Sequence, residues 1–589
     1  MANRLISVGD TSYLPPSIRV DEVNLPTGVK SAVVAGKVGK GDLMVNVLDY
    51  GAVADATDAG GTDNTSAFQD AMDAAWNGGK GGTLLIPPGA YKLADSVIVR
   101  SNVRIIGYGA TLRKYSNNTS YSSFQALSNG SQGYGSSAVN VTFEGLTFRG
   151  KFGSSACGNA VTLHHARGVT FRKCTWTEAI LSGHAIDLMG CDGVLVDDCT
   201  FAGFSPQVDR EYVEAIQVDY SMADGGGSDT TNSFDGLGTI NVTAQNNRFV
   251  PLVVGATPYP APNPIGSHSR VVGRWLENIT FDNNWVEGGD ANLATAGFTL
   301  WNRGWIHFLC ARNVKVTRNT FKNVGGIKTK VVFFNTIGTG TAIADVQTKG
   351  AVSVSMPVMP VEDFTFDDNT LIGFTNDTED YMVDVRGTDA SAGGINAKRI
   401  KIRDNTVKDS YSTPGVTGDK GAAFVYLQDV AGATITGNEL ENTAVGVYAF
   451  RSKRITVEAG NMVNLGSYAG RFSTCNDITI RDVNVDGHGG GYWFYNACVG
   501  VKIMGGSILN GRSDALKQKH ISISAGNGWM IGGGIRIPKD SNGYTSAIDA
   551  YTTSTRGVVS GVFAAGWDAG TLLSLGAAST TANYDRNVY

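Results

Sequence analysis

A short repeated phrase constrains the fold of this chain more than any other feature of its sequence. It runs apolar, polar, apolar, two polar residues, Asn or Cys, one further residue, apolar, as in VTFRKCTW from Val169. Its copies begin at Val141, Val169, Val194, Val242, Ile279, Val314, Phe364, Ile400, Ala433, Ile455, Ile478 and Val501. The last three steps between copies are 22 or 23 residues long. A period of this size, made of short alternating segments, indicates a solenoid whose coils stack on one another.

The sixth position of the phrase indicates which kind of solenoid forms. Consecutive copies carry an amide there, at Asn247, Asn284, Asn319, Asn369, Asn405 and Asn438, and earlier copies carry Cys174 and Cys199. Amides stacked one strand spacing apart, about 4.8 Å, can form a hydrogen-bonded ladder. Asn also tolerates the left-handed backbone of a tight corner. The sequence therefore predicts an all-β fold, a single-stranded right-handed parallel β-helix.

Composition agrees with this fold and excludes several classes of protein. A leucine-rich or other α/β solenoid is disfavoured because the repeats lack a helical period and are rich in Val, Ile, Thr and Phe. Gly accounts for 76 of 589 residues and charged residues for only 17%, which suits many turns and few helices. A net charge of −5 without a basic stripe argues against nucleic acid as a partner. No stretch of about 18 apolar residues predicts a membrane span, and the first residues lack the apolar region of a signal peptide.

The seven cysteines fit the solenoid better than a disulfide framework. Cys191, Cys475 and Cys498 each lie three residues before a copy of the phrase, where a small apolar side chain would fill a corner. We expect no disulfide between Cys475 and Cys498. No Cys or His cluster has metal-ligand spacing, and we expect no metal and no cofactor.

The chain divides into four predicted regions. Residues 1–45 lack the phrase and are interpreted as an N-terminal arm or attachment segment. Residues 46–120 are predicted to hold an N-terminal cap and the first coils, residues 121–515 the β-helix with groove-forming loops, and residues 516–589 the C-terminal coils. In the cap, Ser66 with Gln69 suggests a capping box, and one helical face combines Phe68, Met72, Ala75 and Trp76. Such a helix would cover the open end of the β-helix.

The cap also carries a family resemblance. The segments DYGAVAD, DNTSAFQDAMDAA and GGTLLIPPGAYKL, between residues 49 and 93, resemble the N-terminal signature of the pectate-lyase-like β-helix superfamily. They are similar in particular to its branch of phage tailspikes and polysaccharide depolymerases. The resemblance implies a homotrimer on the virion, an arm that attaches to the phage tail, and a bacterial surface or capsular polysaccharide as substrate. It does not specify a reaction, because fold and function separate.

Unequal coil lengths predict where a polymer would bind. The steps from Val194 to Val242 and from Val314 to Phe364 are 48 and 50 residues, far longer than the last three. The surplus must leave the helix as loops, which solenoids gather on a binding face. We therefore expect a groove on the first half of the β-helix, and bare, polar coils that could pack side by side in the second half.

A second strand precedes each copy of the phrase and can be aligned by counting back eight residues. Its outward positions form one predicted column of Thr162, Asp187, Gln217, Val272 and His307, and a neighbouring column of His164, Met189, Asp219, Arg274 and Leu309. Asp187 and Asp219 would lie one coil and two residues apart, with Cα atoms roughly 8 Å apart. Carboxyl groups at about 6.5–9.5 Å suit an inverting glycosidase.

These columns yield the predicted site residues. Asp187 and Asp219 are the predicted acid and base, and Glu214, which aligns with His184, is the reserve for either role. The predicted substrate-binding residues are His164, His184, Gln217, Arg274, Trp305 and His307. Trp275 and Trp301 are further candidates for stacking on sugar rings. Asp224, Asp229 and Asp235 are loosely calcium-like but are interpreted as part of a flexible, solvated loop.

Several alternatives stay open at this point. The polygalacturonase pattern of the superfamily is not reproduced, because Ala185 follows Gly183 and His184, and Asp197 with Asp198 lies in a turn. A polysaccharide lyase would need a base and a carboxylate-stabilising group such as Arg274 or calcium. A non-enzymatic receptor-binding spike would use the same groove without turnover. A secreted bacterial enzyme is disfavoured by the missing signal peptide.

Overall fold

A computed structural model describes most of the chain. It covers residues 44–114, 122–150, 160–179, 184–204, 214–223, 229, 232–267, 269–288, 304–323, 330–335, 340–354, 359, 361–374, 381–387, 397–410, 423–511, 519–524, 526–539, 542, 544–551, 555–575 and 582–584. The predicted arm lies almost wholly outside these residues, as do Asp224 and Trp301.

The copies of the phrase form the first of three long parallel sheets, here called the phrase sheet. Its strands are Met44–Asn46, Gly82–Leu85, Val103–Ile106, Val139–Glu144, Arg167–Arg172, Asp192–Asp197, Ile240–Gln245, Leu276–Asp282, Ala311–Thr317, Val361–Asp367, Ala397–Arg403, Val430–Thr436, Lys453–Glu458, Asn476–Arg481, Val499–Met504, Asn527–Gly532, Thr555–Ser560 and Ala582–Tyr584.

A second sheet, the corner sheet, follows the Asn or Cys position of each coil. Its strands are Gly89–Leu93, Ala110–Lys114, Thr147–Arg149, Thr175–Ala179, Thr200–Phe204, Arg248–Val250, Trp285–Gly288, Thr320–Asn323, Thr370–Ile372, Thr406–Lys408, Glu439–Glu441, Asn461–Val463, Asn484–His488 and Ser507–Gly511.

The third sheet, the site sheet, holds the strand that precedes each copy of the phrase. Its strands are Val97–Ile98, Ser122–Ala126, Ala160–His164, Ile186–Met189, Glu214–Asp219, Asn263–Gly266, Ile306–Leu309, Val332–Asn335, Tyr381–Arg386, Ala423–Gln428, Val445–Phe450, Tyr468–Ser473, Gly490–Tyr495, Lys519–Ser524, Ser546–Tyr551 and Leu573–Leu575. Two antiparallel hairpins leave the coils, Leu252–Val254 with Thr257–Tyr259 and Gly340–Asp345 with Gly350–Val354.

The register of the phrase sheet confirms the predicted right-handed parallel β-helix. Each anchor of the phrase pairs with the anchor of the next coil, from Val141 with Val169 and Val194 to Ile478 with Val501. Because each coil places the same apolar positions inward, Val, Ile and Phe side chains stack into one continuous core. Rings in this core lie nearly face to face, as in Phe143 with Phe171 at 4.9 Å between centroids.

The predicted Asn ladder is present and buried. Asn319 Nδ2 donates to Asn369 Oδ1 at 3.0 Å, and its own Oδ1 accepts from Asn284 Nδ2 at 3.0 Å. The same bonds continue from Asn247 to Asn438. The ladder Asn was expected to adopt the left-handed conformation of the corner. The residue before it adopts this conformation instead, such as Asn246 with φ 58°. The ladder amide therefore serves hydrogen bonding, and its predecessor makes the corner.

A helix covers one end of the coils, as predicted. It runs over Thr65–Trp76 and buries Phe68, Ala71, Met72 and Ala75 against the first strands. Trp76 was predicted on the same face but is 37% exposed. Short 3₁₀ helices occupy Val47–Tyr50 and Asn77–Gly79, and a one-turn helix occupies Ala569–Leu572.

The capping box predicted from Ser66 and Gln69 is wrong. The N-cap is Asn64, whose side chain makes no capping bond to the helix. The Gln69 side chain instead bonds the backbone of Ile98, accepting from its N–H at 2.7 Å. It thereby joins the helix to the first strand of the site sheet.

Cys191, Cys475 and Cys498 belong to the apolar core, as predicted for corner plugs. The other cysteines in the described part of the chain, Cys174, Cys199 and Cys310, are buried as well. Burial raises the pKa of the Cys191 and Cys475 thiols to about 12. No helix in the described part of the chain is long and apolar enough to cross a membrane.

Candidate functional site

The outward column of the site sheet is continuous but differs from the predicted one at its fourth position. Thr162, Asp187 and Gln217 are paired in register, as predicted. The next position is Gly266 instead of Val272, and it pairs with His307. Counting fails here because an inserted turn, residues 269–275, separates this strand from its copy of the phrase in Leu276–Asp282. Val272 lies in that exposed turn.

Arg274 occupies the same turn, so its predicted place beside Asp219 and Leu309 is wrong. Its side chain is exposed, and its backbone carbonyl accepts from the Tyr220 hydroxyl at 3.3 Å. The turn itself is closed by the Arg274 N–H, which donates to the Val271 carbonyl at 3.0 Å. Arg274 therefore lies on a loop rather than on the site sheet.

Asp219 lies one coil and two residues from Asp187, in the register that the sequence predicts, because it pairs with Met189. It is buried, and both carboxylate oxygens are engaged. Gln217 Nε2 donates to Oδ2 at 3.0 Å, and the Tyr220 N–H donates to Oδ1 at 2.9 Å. These bonds orient the Gln217 amide in the outward column. They make Asp219 a group that positions Gln217, whereas Asp187 remains half-buried.

Glu214 reaches the outward column through a glycine. A Cβ on Gly266 would lie 2.8 Å from Glu214 Cγ, 2.9 Å from Glu214 Oε1 and 2.9 Å from the His307 carbonyl oxygen. The missing side chain at Gly266 thus leaves the space that the Glu214 side chain occupies. Asp187, Gln217, the Glu214 carboxyl and His307 consequently lie on successive levels, and of these the Glu214 and His307 side chains are buried.

His184 lies at the entry to the same strands. Its Nδ1–H donates to the Glu214 backbone carbonyl at 2.7 Å, and Nδ1 is 4.0 Å from Glu214 Oε2. The side chain is 12% exposed. An apolar cleft adjoins these residues, lined by Trp176, Ala185, Phe201, Ala202, Gly203, Phe204, Ala215 and Pro262.

Two predicted binding residues turn out to be buried. Trp305 was predicted outward but belongs to the core, where its ring lies 5.2 Å from that of Phe374 and 6.3 Å from that of Phe321. Trp305 immediately precedes the strand Ile306–Leu309, so the alternation of that strand does not set the direction of its side chain. His307 does occupy the outward column, yet it is 1% exposed and its ring stacks on Phe333 at 5.2 Å.

His164 is also closed off, in what is here called the histidine clamp: His164, His165, Ser128, Asp229, Ser221 and Asp235. His164 Nδ1 bonds Asp229, and its Nε2 accepts from the Ser221 hydroxyl at 2.7 Å. His165 bonds the Ser128 hydroxyl and Asp235 Oδ1, each at 2.9 Å. The order carboxylate, imidazole, hydroxyl resembles a hydrolytic triad, but His164 and Ser221 are fully buried. The prediction that His164 contacts substrate is therefore wrong.

The clamp also corrects the interpretation of Asp229 and Asp235 as solvated. Asp229 accepts from the N–H groups of Ser128 and Asn129 at 2.8 and 2.9 Å, and Asp235 accepts from Gly133 N–H at 2.9 Å. Each aspartate thus joins its own loop to the loop that begins at Ser128. A metal site is not implied, since the described residues contain no group of three or more His, Cys, Asp or Glu side chains able to hold an ion.

Burial and hydrogen bonding set the charge state of the clamp. Burial opposes ionisation of Asp235, but the bonds from His165 and the Leu237 N–H outweigh it and lower its pKa to about 2. Burial likewise opposes ionisation of Asp229, but hydrogen bonds, first of all the one from His164, outweigh it and hold the pKa of Asp229 well below its usual range. Burial lowers the pKa of His164, and the bond to Asp229 offsets this only in part. At neutral pH the clamp therefore holds two carboxylates around a neutral His164 ring.

The later coils carry a polar and aromatic surface that the sequence reasoning missed. There the outward column continues from His307 through Phe333, Asp384, Tyr426, Tyr448, Arg471 and Trp493. Asp384 is fully buried between the Lys330 ammonium and the Arg386 guanidinium. The signal was available, because the same counting located Val425, Val447 and Gly470, whose next residues face outward. The later coils are bare of long loops from residue 423 to 511, but their outer face is not simply polar.

Comparisons with known proteins identify the N-terminal region most clearly. Residues 44–144 match the family model "Rhamnogalacturonase A/epimerase, pectate lyase-like", and residues 412–546 match that of the periplasmic copper-binding protein NosD. Plasmin and fibronectin-binding protein A of Streptococcus pneumoniae is 26% identical over 254 residues, 39% of this chain. Alginate lyase 7 of Azotobacter vinelandii is 42% identical over 71 residues, 11% of this chain. The chain spans only 35% and 8% of the lengths of these two proteins.

Solved structures align with this chain at low identity. The pneumococcal surface adhesin PfbA superposes with a TM-score of 0.49 at 16% identity, covering 77% of this chain and 93% of its own. Tailspike protein 3 of bacteriophage CBA120 superposes with a TM-score of 0.42 at 12% identity, covering 90% and 61%. Residues 44–144 thus match a pectate-lyase-like family model, in agreement with the predicted resemblance, and the stacked parallel sheets show that the protein is a parallel β-helix protein.

Proposed function

We propose that the protein is a tailspike-type depolymerase that binds a bacterial surface or capsular polysaccharide and cleaves it by hydrolysis. The site lies on the first half of the site sheet. Asp187 and Glu214 are the proposed acid and base, Gln217 and His184 position sugars, and Asp219 holds Gln217 in place. His307 supports the far end of the site from beneath. Asp187 keeps its predicted role, and Glu214, which was predicted as the reserve, replaces Asp219 in the pair.

The observation that carries this proposal is the space over Gly266 that the Glu214 side chain fills. Asp187 and Gly266 flank Gln217 in the outward column, so they are two strand spacings, roughly 9.6 Å, apart. With the Glu214 carboxyl over Gly266, the two acids stand on either side of an amide. This backbone separation lies just above about 6.5–9.5 Å, the range of carboxyl separations that leaves room for a water in inverting glycosidases.

Two carboxyl groups and one water supply every proton that the hydrolysis needs. One carboxylic acid gives its proton to the glycosidic oxygen, which leaves with the bond electrons. The other carboxylate takes a proton from the water whose oxygen forms the new bond to the anomeric carbon. The first group ends ionised and the second protonated, and exchange with solvent restores both. The neighbouring Gln217 amide offers both a donor and an acceptor for a sugar hydroxyl.

A digest of candidate capsular polysaccharides by the purified protein tests the proposal. New reducing ends without ultraviolet absorbance of an unsaturated uronate are expected for hydrolysis. Asp187→Asn and Glu214→Gln should each abolish the new reducing ends, while the polymer still binds. Asp198→Asn is the matched control, because Asp198 is exposed at a corner with φ 54°, a conformation that Asn accepts. Cleavage that survives both site substitutions would sink the assignment.

A polysaccharide lyase is the second candidate, favoured by the similarity of 71 residues to alginate lyase 7. In that reaction a base removes the proton beside a uronate carboxyl and the glycosidic bond breaks without water. The same digest separates the two, since a lyase yields reducing ends and ultraviolet absorbance together. Binding without either signal would favour a receptor-binding spike or an adhesin.

The assembly proposed with this function is a homotrimer on the phage virion, with residues 1–45 attached to the tail. The similarity to a tailspike supports the architecture, and an extracellular location suits a polysaccharide partner. Sedimentation equilibrium of the full chain tests the trimer directly. A monomeric mass at micromolar concentration would contradict it.

A further inference from the structure

The later coils of the site sheet present a surface of aromatic rings and arginines, here called the aromatic–arginine face. It consists of Tyr426, Tyr448, Trp493, Tyr495, Arg386 and Arg471. Tyr426, Tyr448, Arg471 and Trp493 occupy the outward column on four successive coils, which span roughly 14 Å at a spacing of about 4.8 Å. The face is therefore long enough to contact more than one ring of a polymer.

Arg471 is held in place by three of these rings. Its guanidinium carbon lies 4.8 Å from the centroid of Tyr448, 5.2 Å from Trp493 and 5.3 Å from Tyr495. Its Nε–H donates to the Tyr495 hydroxyl at 3.0 Å, and that hydroxyl lies 3.3 Å from the hydroxyl of Tyr448. Stacking on rings fixes the plane of the guanidinium, whose donors lie in that plane.

Arg386, at the other end of the face, also lies over an aromatic ring. Its guanidinium carbon lies 5.1 Å from the Tyr426 centroid, and it bonds Asp384 through Nε and a terminal nitrogen, both at 2.8 Å. Lys330 bonds the same carboxylate, so two cations share one anion. The local charge is positive, whereas the whole chain carries −5.

These rings are not needed to fill the core. Tyr426 belongs to a small cluster separate from the main core, and Tyr448 and Trp493 pack against that cluster half-buried. Inward positions of the same strands, such as Val447 and Phe494, already complete the core. Half-buried aromatic side chains on an outer face, rimmed by guanidinium groups, are typical of a binding surface.

We propose that the aromatic–arginine face binds an acidic polysaccharide, separately from the proposed cleavage site on the earlier coils. Sugar rings would lie against Trp493 and Tyr448, and uronate carboxylates would accept hydrogen bonds from Arg471 and Arg386. Arginine suits this role because its planar donors match a carboxylate. The inference does not rest on turnover, because binding here requires neither Asp187 nor Glu214.

The test measures binding of polygalacturonate, a uronate polymer, to the full chain by affinity electrophoresis. The carboxyl-reduced form of the same polymer is the neutral probe. Trp493→Ala and Arg471→Ala should each weaken binding of the acidic polymer by about tenfold or more, as expected for a central aromatic or arginine. The neutral probe should bind the wild type weakly and be insensitive to Arg471→Ala.

A matched control exists on the cap, where Arg100 lies 5.8 Å over the exposed ring of Trp76. Trp76→Ala and Arg100→Ala remove the same chemistry elsewhere and should leave binding unchanged. Equal affinity of Trp493→Ala and wild type, or an equal loss in the Trp76→Ala control, would overturn the proposal. Wild-type preference for the neutral probe would overturn it as well.

Two further measurements guard against misfolding and self-association. Trp493→Phe and Arg471→Lys keep a ring or a charge, and partial retention of binding by these variants, with an unchanged melting temperature, supports direct contact. Sedimentation velocity detects a subunit interface, which would appear as dissociation of the variants with polymer binding intact and would overturn the proposal. A digest without cleavage would contradict the proposed hydrolase function. It would not contradict the proposal for the aromatic–arginine face, because that proposal is tested by binding.

Discussion

The two halves of one outward column differ in chemistry although their backbones are equivalent. On the earlier coils the column is small and polar, with Thr162, Asp187, Gln217 and Gly266. On the later coils it is aromatic and cationic, with Tyr426, Tyr448, Arg471 and Trp493. Inward neighbours are apolar in both halves. Because each coil contacts only the coils beside it, the outer positions can change without altering the core.

Coverage separates the halves as well. The earlier coils carry the histidine clamp, in which His164 and Ser221 are fully buried. The later column has short connections between residues 423 and 511, and the rings of Tyr448 and Trp493 remain half-buried. A covered polar site favours chemistry away from bulk water, whereas an open aromatic face favours adsorption of a polymer. This difference suits the proposal that the earlier half cleaves the polymer and the later half provides a separate binding face.

The largest effect is expected at Asp187, in the earlier half of the column. Asp187→Asn should lower the rate of new reducing ends at saturating polymer by about 10²–10⁴-fold, the range of one general acid or base. Stability should change by less than about 1 kcal/mol, because the side chain is half-buried at the surface. A variant that keeps a tenth of the wild-type rate would contradict the assignment.

Asp384, in the later half of the column, should show the opposite behaviour. Asp384→Ala leaves Lys330 and Arg386 without their shared carboxylate and should destabilise the fold by about 3–5 kcal/mol, as for a broken buried ion pair. The guanidinium unfolding midpoint compared with that of Asp187→Asn measures this. Similar midpoints for the two variants would show that the halves do not differ in this way.

The ladder that links the halves gives the next effect. Asn319→Ala removes bonds to Asn284, Asn369 and the Phe281 carbonyl inside the corner and should cost about 3 kcal/mol, since buried partners lose their hydrogen bonds. Asn484→Ala, the control, removes an exposed amide stacked on Asn461 at 3.1 Å.

Water can replace the bonds of Asn484, so the control should cost less than about 0.5 kcal/mol. Unfolding midpoints of the two variants, measured under one set of conditions, provide the comparison. Equal destabilisation would mean that the buried ladder contributes no more than a surface stack.

The smallest effect is the pH dependence of the histidine clamp. Asp235 has a folded pKa of about 2, below its unfolded value, so its contribution exists above about pH 4 and is lost as the pH falls towards 2. The folded pKa of His164 is lowered below about 6.5, so the unfolded chain binds more protons below that pH. Both groups therefore make the clamp weaker in acid.

Hydrogen exchange at pH 7 and pH 5, corrected for intrinsic rates, measures this weakening. The N–H groups of Ser128 and Asn129, which donate to Asp229, should lose protection by a few fold at pH 5. The Val499 N–H on the later coils, which donates to the Cys475 carbonyl at 2.9 Å, serves as the reference. Equal changes at both places would exclude a local effect of the clamp.

Much of this arrangement could be read from the sequence, and the failures have identifiable causes. Counting back from the phrase located Ile186, Ile306 and Val447 correctly, because short corners keep the register. It failed at Val271, which lies in an inserted turn, and by one residue at Trp493, where Tyr492 takes the inward position. Trp305 was misplaced because the residue before a strand need not follow its alternation.

The sequence by itself determined the stacked coils, the ladder and the alternation that brings Asp187, Gln217 and Asp219 together. These follow from local periodicity, which repeats in every coil. Only the tertiary structure decided that Glu214 fills the space over Gly266, that Asp229 and Asp235 close on two histidines, and that Arg471 lies among three rings. Those contacts join residues from different coils and loops, and no periodic pattern encodes the distance between them.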